Sequence, residues 1–578
     1  MMTRRLLVLV AAVFISVSLW RGFGRPSRAT IVGKSRYVPS SEDWGKMSLF
    51  YPVNDMAKPP STAQLARRLP RVQARAKGEA GHGEGGVWRA RKEAVKRAFV
   101  KSWQAYKTHA WTKDELMPLS GRGRQSLSGW AAQLVDALDC LYIMGLDHDF
   151  AMAVNEVAVI DWARPRHASA INLFEVTIRY LGGLLAAYDL SHEPVLRAKA
   201  LELGNLVYAA FDTPNRLPSF WFDLTRARSG DQEADQSMPS AAVGSLALEF
   251  TRLSQITGDA KYYDATERVK RFLRNTQPTT KLPGLWPRRL NLRDETADGE
   301  AFTLGAESDS LYEYLPKMHA LLGGLDDDYA NMTLRALDAV RKHLLFRPLA
   351  PLDDDEDDAI LLSGSVTWSQ GETDLTPQMQ HLACFAGGTY GLAGKLLQRR
   401  DYVDVASRLA AGCVWAYDSF PSNLMPEVSE LVACTDRHLQ SHASCHWNHS
   451  IMASTRLASH QSELPDGFVR VIDARYLLRP EAIESVFYMW RITGDQVWRE
   501  AAWRMWEAVV RETETETAFA AVSDVTTRSS DKIDSMETFW LSETVKYYYL
   551  IFDDESVINL DEWVLNTEAH PLRRPKPV

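Results

Sequence analysis

From residue 87 onward, apolar positions recur at the three-to-four-residue spacing of amphipathic helices, interrupted by short polar turns. The run GSLALEFTRLSQI (244–256) leads through Thr257-Gly258-Asp259 into KYYDATERVKRFL, and EAIESVFYMWRI (481–492) leads through Thr493-Gly494-Asp495 into QVWREAAWRMWEAVV. In both, a glycine tolerates the positive φ that ends one helix, and the aspartate after it offers an N-cap to the next. Similar pairs read at 131–163, 173–210, 309–344 and 380–418, with a further helix at 538–552. Alternating segments bounded by hairpin turns are scarce, so the pattern predicts an all-α chain of helical hairpins. Such a series stacks as an open solenoid or closes into a toroid, and the lack of polar capping repeats favours closure. A closed double ring leaves a central cavity lined by loops and helix ends, where chemistry is expected to collect.

The first 86 residues break this pattern. Arg4 and Arg5 precede the apolar run LLVLVAAVFISVSLW (6–20), shorter than the roughly 20 residues of a full span. It fits a cleaved signal peptide or a short signal anchor, and the lack of a small-x-small site after Trp20 favours the anchor. Arginines ahead of the run favour a cytosolic N-terminus, which gives a type II arrangement. The expected organisation is a cytosolic tail (1–5), a signal anchor (6–20), an Arg/Pro/Gly/Ser-rich stem (21–86) and a folded domain (87–575). Sequons at Asn331 and Asn448 are compatible with a lumenal domain. The net charge of −8 provides no basic field for a nucleic acid partner. Five cysteines without CxxC spacing make neither a disulfide scaffold nor a zinc site.

Several acids sit at helix starts among apolar residues. Glu175 lies between Phe174 and Val176, four residues before Arg179, so an i,i+4 ion pair is one reading. Pro480 precedes Glu481 and Glu484, where acids also suit the helix dipole. Asp309 reads as an N-cap with Glu313 one turn on, and Glu427 follows Pro426 at another boundary. Together they suggest carboxylate-pair chemistry. The C-terminal WVLNTEAHPL (563–572) is too apolar for a fraying tail and predicts a buried plug carrying Asn566, Thr567 and Glu568. His570 reads as structural, and the acidic run 353–358 as a solvated loop without the glycine and closing glutamate of an EF-hand.

On HAWTKDELMP (109–118), GWAAQLVDALDCLYIMGL (129–146), NLFEVTIRYLGGLLAAY (172–188), TLGAESDSLYEYL (303–315), HLACFAGGT (381–389), RYLLRPEAIES (475–485), METFWLSETVKYYYLIF (536–552) and LNTEAHPL (565–572), the chain resembles glycoside hydrolase family 47, the class I α-1,2-mannosidases of the secretory pathway. The resemblance implies an (α/α)7 barrel, a type II protein of the endoplasmic reticulum or Golgi, and Ca²⁺-dependent, inverting release of terminal α-1,2-linked mannose from high-mannose N-glycans, by a monomer. By motif, Glu175 would be the acid, acting through a water; Glu481 the base; Asp309 an alternative or supporting carboxylate; and Glu427 a fourth catalytic acid. Thr567 would hold calcium by its carbonyl and hydroxyl. Arg179, Arg479, Glu484, Phe539, Glu543 and Glu568 would line the sugar subsite, with Phe487 either a further wall or core. Cys384 and Cys413 would form the family's disulfide, Cys434 and Cys445 a second, and Cys140 a buried thiol. Glu307 departs from the family: members of the endoplasmic-reticulum type carry an arginine there that contacts the neighbouring sugar. The rival expectation from another class is a mannose-binding quality-control lectin of the same fold, whose members are expected to lack the Cys384–Cys413 pair.

Overall fold

The computed structural model describes residues 36–61, 69–75, 84–166, 170–351, 360–434, 447–459 and 463–575. The expected anchor, the acidic run and Cys445 lie outside them. Among the described residues, no helix is long and apolar enough to cross a membrane.

Helices dominate. Seven inner elements follow one another: Ala132–Asp136 with Leu138–Ile143, Val176–Leu181 continuing as Gly182–Ser191, Ala247–Thr257, Asp309–Leu321, Ala386–Leu396, Glu481–Thr493, and Trp540–Thr544 continuing as Val545–Phe552. Each touches the next and the last touches the first, so among the described residues they close a ring. Each inner element also packs on an outer helix: Glu84–His109, Asp147–Val157, Pro194–Ala209, Ala260–Thr276, Asp327–His343, Arg400–Ser419 and Val497–Thr513. Burial explains which helix goes where. The inner Glu481–Thr493 is buried from Ala482 to Ile492, whereas the outer Ala260–Thr276 keeps an exposed polar stripe. Gly258 ends its helix at φ +78°, and Asp259 accepts the Lys261 N–H at 3.1 Å, as the turn chemistry predicts. At the second turn Gly494 ends the helix at φ +69°, but the cap position passes to Gln496 while Asp495 accepts the Val497 N–H at 3.2 Å.

The expectation of few strands needs correcting. Eighteen short strands form eight small antiparallel sheets among the described residues, none longer than the six residues of Phe468–Asp473. Segments of two to six residues are too brief to show alternation, and they lie in the connections between ring helices. One of these ladders, Trp563–Leu565 against Pro571–Arg573, forms the expected plug and packs on the inner helices Gly182–Ser191 and Asp309–Leu321. Close approach requires the glycine pair of LGGLL: a Cβ on Gly182 would stand 2.6 Å from Asn566 Nδ2, and one on Gly183 2.8 Å from Val135 O.

Within the span read as stem, residues 36–61 and 69–75 lie against the ring. Their backbone N–H groups are taken up by carboxylates of the outer layer and its loops: Ser40 by Glu202, Ser41 by Asp161, Phe50 and Tyr51 by Asp212, Ala57 by Asp264, and Val72 by Asp561. Gln73 is buried against Glu555 and Leu560. This contact needs partners hundreds of residues away, which no local period announces. Cys384 and Cys413 are bonded across 29 residues and tie the turn before Ala386–Leu396 to Arg400–Ser419. Cys140 is a buried free thiol.

Candidate active site

Four helix starts converge on one cavity of about 380 Å³, which is lined by Glu175, Asp309 and Glu481 together with Arg179, Arg479, Glu484, Phe539, Glu543, Thr567 and Glu568. These residues come from four helix starts and the C-terminal plug. Corrections apply to Glu427 and Asp309, and of the two readings open for Phe487 the core one holds. Glu427 is not among the cavity lining: it is buried behind it, accepting from Arg479 Nε and from the Leu477 N–H at 3.3 Å. Phe487 is core, wedged against Tyr488 and Tyr547 beneath Arg491. Asp309 is the first residue of its helix rather than the cap, which is Ser308, and its Oδ1 accepts the Ser310 N–H at 2.9 Å.

Glu481 is held by a chain of groups that single-sequence reading did not find. His381 Nδ1 lies 2.8 Å from Glu481 Oε2, and His381 Nε2 lies 2.9 Å from the Tyr417 hydroxyl. Arg479 Nη1 stands 3.8 Å from Glu481 Oε1. Burial opposes ionisation of Glu481, but the His381 hydrogen bond and the Arg479 charge outweigh it and lower its pKa. Asp309 goes the other way: burial, reinforced by the charges of Glu313 and Glu481, pushes its carboxyl up to about 7. Glu175 is capped by Asn172 and accepts from Arg179 Nε at 2.7 Å. Arg179 also donates to Glu568 at 2.7 Å and Thr538 Oγ1 at 3.0 Å. The guanidinium carbons of Arg179 and Arg479 lie 5.9 and 5.6 Å from the centre of the Phe539 ring, within cation–π range.

Below them is an acidic floor. Glu313, Glu484, Glu543 and Glu568 are all buried, and the cations near them are Lys317, which pairs with Glu313 and stands 3.7 Å from Glu484, and Arg179. Burial first, and then their mutual repulsion, raises Glu484 and Glu543 well above the carboxylate range. Burial likewise pushes Glu568 up to about 8, against the pull of Arg179. Among the described residues no three acidic, histidine or cysteine side chains converge as a ready metal cage. The donor set nonetheless suits a hard divalent cation: Thr567, with two oxygens to offer, in the cavity lining, carboxylates in excess of cations, and room for water. Thr567 is fixed by its N–H to the Tyr314 hydroxyl at 3.3 Å, and neighbouring Asn566 donates to Ile178 O and to Glu249.

Two inner elements carry a wider, π-type turn where they face the cavity, Val176–Leu181 with Arg179 and Trp540–Thr544 with Glu543. Such turns occur frequently at functional sites. Their composition gives no signal, because only the tertiary register decides between α and π. Asn331 and Asn448 are both exposed, and Asn448 Oδ1 accepts the N–H groups of Ser450 and Ile451.

Residues 98–574 match the model of glycosyl hydrolase family 47. The chain belongs to this family. It is 31% identical over 512 residues to a probable mannosyl-oligosaccharide α-1,2-mannosidase 1B of Aspergillus niger, covering 85% of this chain and 93% of that one. It is 32% identical to mannosyl-oligosaccharide 1,2-alpha-mannosidase MNS1 of Arabidopsis thaliana, over 84% of this chain and 79% of the relative. The solved α-1,2-mannosidase from Trichoderma reesei superposes with a TM-score of 0.74 at 30% identity, covering 84% of this chain and 99% of that one. In this member of the family, Thr567 and Glu568 of the 563–573 hairpin form part of the cavity lining.

Proposed function

We propose that this family 47 member is an inverting, Ca²⁺-dependent exo-α-1,2-mannosidase with an (α/α)7 barrel, trimming terminal α-1,2-linked mannose from high-mannose N-glycans. We place it in the endoplasmic reticulum or Golgi as a monomeric type II protein with a lumenal barrel. The observation that supports the chemistry best is the divergence of two carboxyls in one cavity: Glu481 is favoured as the anion, and Asp309 keeps its proton up to about pH 7. Pairs pushed apart in this way are suited to base and acid roles.

In this reading Glu481 takes the proton of the attacking water while His381 and Arg479 hold its carboxylate in place. Glu175 passes a proton through water to the leaving oxygen, with Asp309 in support. Inversion calls for acid and base on opposite faces of the sugar, roughly 6.5–9.5 Å apart with water between them. Glu427 acts through Arg479, as a positioning residue. Thr567 would hold calcium by its hydroxyl and carbonyl, with water completing the shell. When bound, that cation would chelate sugar hydroxyls and offset the charge of the floor. Arg179 and Phe539 orient the ring against the wall.

The test is proton NMR of mannose newly released from a defined high-mannose oligosaccharide. The β-anomer is expected first, mutarotating afterwards. An α-anomer at first appearance would contradict inversion, and glycan binding with no release would leave the lectin reading.

A further inference from the structure

His381 is gripped at both ring nitrogens, and its two partners differ in what they can do with a proton. Nδ1 lies 2.8 Å from Glu481 Oε2, and Nε2 lies 2.9 Å from the Tyr417 hydroxyl. An ionised carboxylate only accepts, so the hydrogen of the first contact sits on Nδ1. A phenol can donate or accept, so the second contact decides the charge of the ring. A hydroxyl that donates leaves a neutral imidazole; one that accepts needs Nε2–H as well, and hence an imidazolium.

The surroundings point to donation. His381 is fully buried, and its partner at Nε2 is a phenol rather than a second carboxylate. The rings of Tyr417 and Tyr476 flank the imidazole at 5.7 and 6.0 Å, an environment that disfavours an added charge. Burial, with Tyr476 and Tyr548 beside it, pushes the Tyr417 hydroxyl well above the usual phenol range, so its proton is present to give. The backbone holds both residues in register. The His381 N–H donates to Glu427 O at 2.9 Å. Cys384, one turn beyond His381, is bonded to Cys413, one turn before Tyr417 on the helix Arg400–Ser419. Ser485, one turn after Glu481, donates to Cys384 O and accepts the Gly388 N–H at 2.9 Å. A donor that itself accepts a hydrogen bond is polarised and donates more strongly. That matters at Glu481, whose ionisation is supported by His381 and Arg479 and which lies close enough to Asp309, Glu484 and Glu543 to raise them.

We infer that Tyr417 is a positioning residue for the base: its hydroxyl holds His381 as the neutral, Nδ1-protonated tautomer that keeps Glu481 ionised and aimed. The inference rests on the mannosidase reading for what the base does, but the state of the ring can be read without turnover. The first test is nitrogen NMR of the full chain labelled with ¹⁵N-histidine, the His381 signals being those that vanish in His381→Gln. A neutral ring is expected, with hydrogen on Nδ1 and a hydrogen-bonded Nε2 that moves to the position of an unbonded nitrogen in Tyr417→Phe. A hydrogen on Nε2 in the unsubstituted protein, or an Nε2 signal unmoved by Tyr417→Phe, would overturn the assignment. The second test is kinetic. Tyr417→Phe is expected to lower kcat for mannose release by about threefold to tenfold, the worth of one hydrogen bond, with KM unchanged. The acid limb of kcat/KM should also move up by about half a pH unit, whereas a merely structural loss would lower the profile without shifting it. In a His381→Gln background Tyr417→Phe should cost nothing further, and a second full loss there would overturn the relay. The hydrolase reading fails separately, if the unsubstituted protein releases no mannose while its His381 signals are as expected.

Discussion

Two buried acid clusters share the ring, and they differ in how their charge is met. Behind the cavity, Asp136 and Asp139 are fully buried, with His570 3.0 Å from one and 2.8 Å from the other, and Lys546 2.8 Å from Asp139. Burial opposes their ionisation, yet His570 and Arg179 lower Asp136, Lys546 and His570 lower Asp139, and the two aspartates push His570 up to about 9. On the cavity floor, four glutamates share Lys317 with Arg179, which also serves Glu175, and Glu484, Glu543 and Glu568 are all raised. The first cluster pairs each aspartate with a cation within the protein and joins the C-terminal plug to the helices Ala132–Asp136 and Leu138–Ile143. The second retains uncompensated acid at a solvent-reachable surface, which is the condition of a site that receives something. Buried acidity alone therefore does not mark function; the shortage of partners does.

The comparison can be broken from the catalytic side first. Glu481→Gln is expected to lower kcat by about 10²–10⁴, the usual worth of a positioned general base, with glycan binding and melting temperature retained. Near-normal turnover would remove Glu481 from that role. The next largest effect lies in the rear cluster. His570→Ala removes the partner both buried aspartates share, leaving Lys546 on Asp139 and the more distant Arg179 on Asp136, and should cost about 3–5 kcal/mol of stability, read by denaturant or thermal unfolding. A variant as stable as the parent would show that the cluster is not the lock described here.

A smaller effect sharpens the contrast by pH. His570 binds its proton more tightly in the folded state, so its stabilisation is present below about pH 6.5 and lost as pH rises through about 9. Asp309 has a raised native pKa, so the native state holds an extra proton between about 4 and 7, and its contribution falls as pH rises through that earlier window. Asp309→Asn should reduce the slope in the lower window, which the raised floor glutamates share, and His570→Ala should reduce the slope in the upper one, in unfolding free energy measured against pH. A lower slope unchanged by Asp309→Asn, or an upper slope unchanged by His570→Ala, would contradict the assignment.

Much of this was legible in the sequence where a signal is local. The glycine–aspartate turns at 258–259 and 494–495, the proline-led start at Glu481 and the apolar tail around Asn566 each carry their chemistry within a few residues, and the ring and plug follow from them. What was hidden depends on distant partners. His381 stands 100 residues from Glu481, and Asp561 holds Val72 across 489 residues. Phe487 and Glu427 show the converse: helical spacing puts Phe487 one turn after Glu484 and Glu427 at an element boundary, yet packing sends one to the core and the other behind Arg479.

On the proposed function, a divalent cation held at Thr567 would offset the excess acid of the floor, and mannose release would depend on it. The most direct measurement is mannose release from a high-mannose oligosaccharide by protein stripped with a strong chelator, then titrated with calcium. Release is expected to stop on stripping and to return with calcium. Undiminished release from protein verified by elemental analysis to be free of divalent metal would contradict the claim.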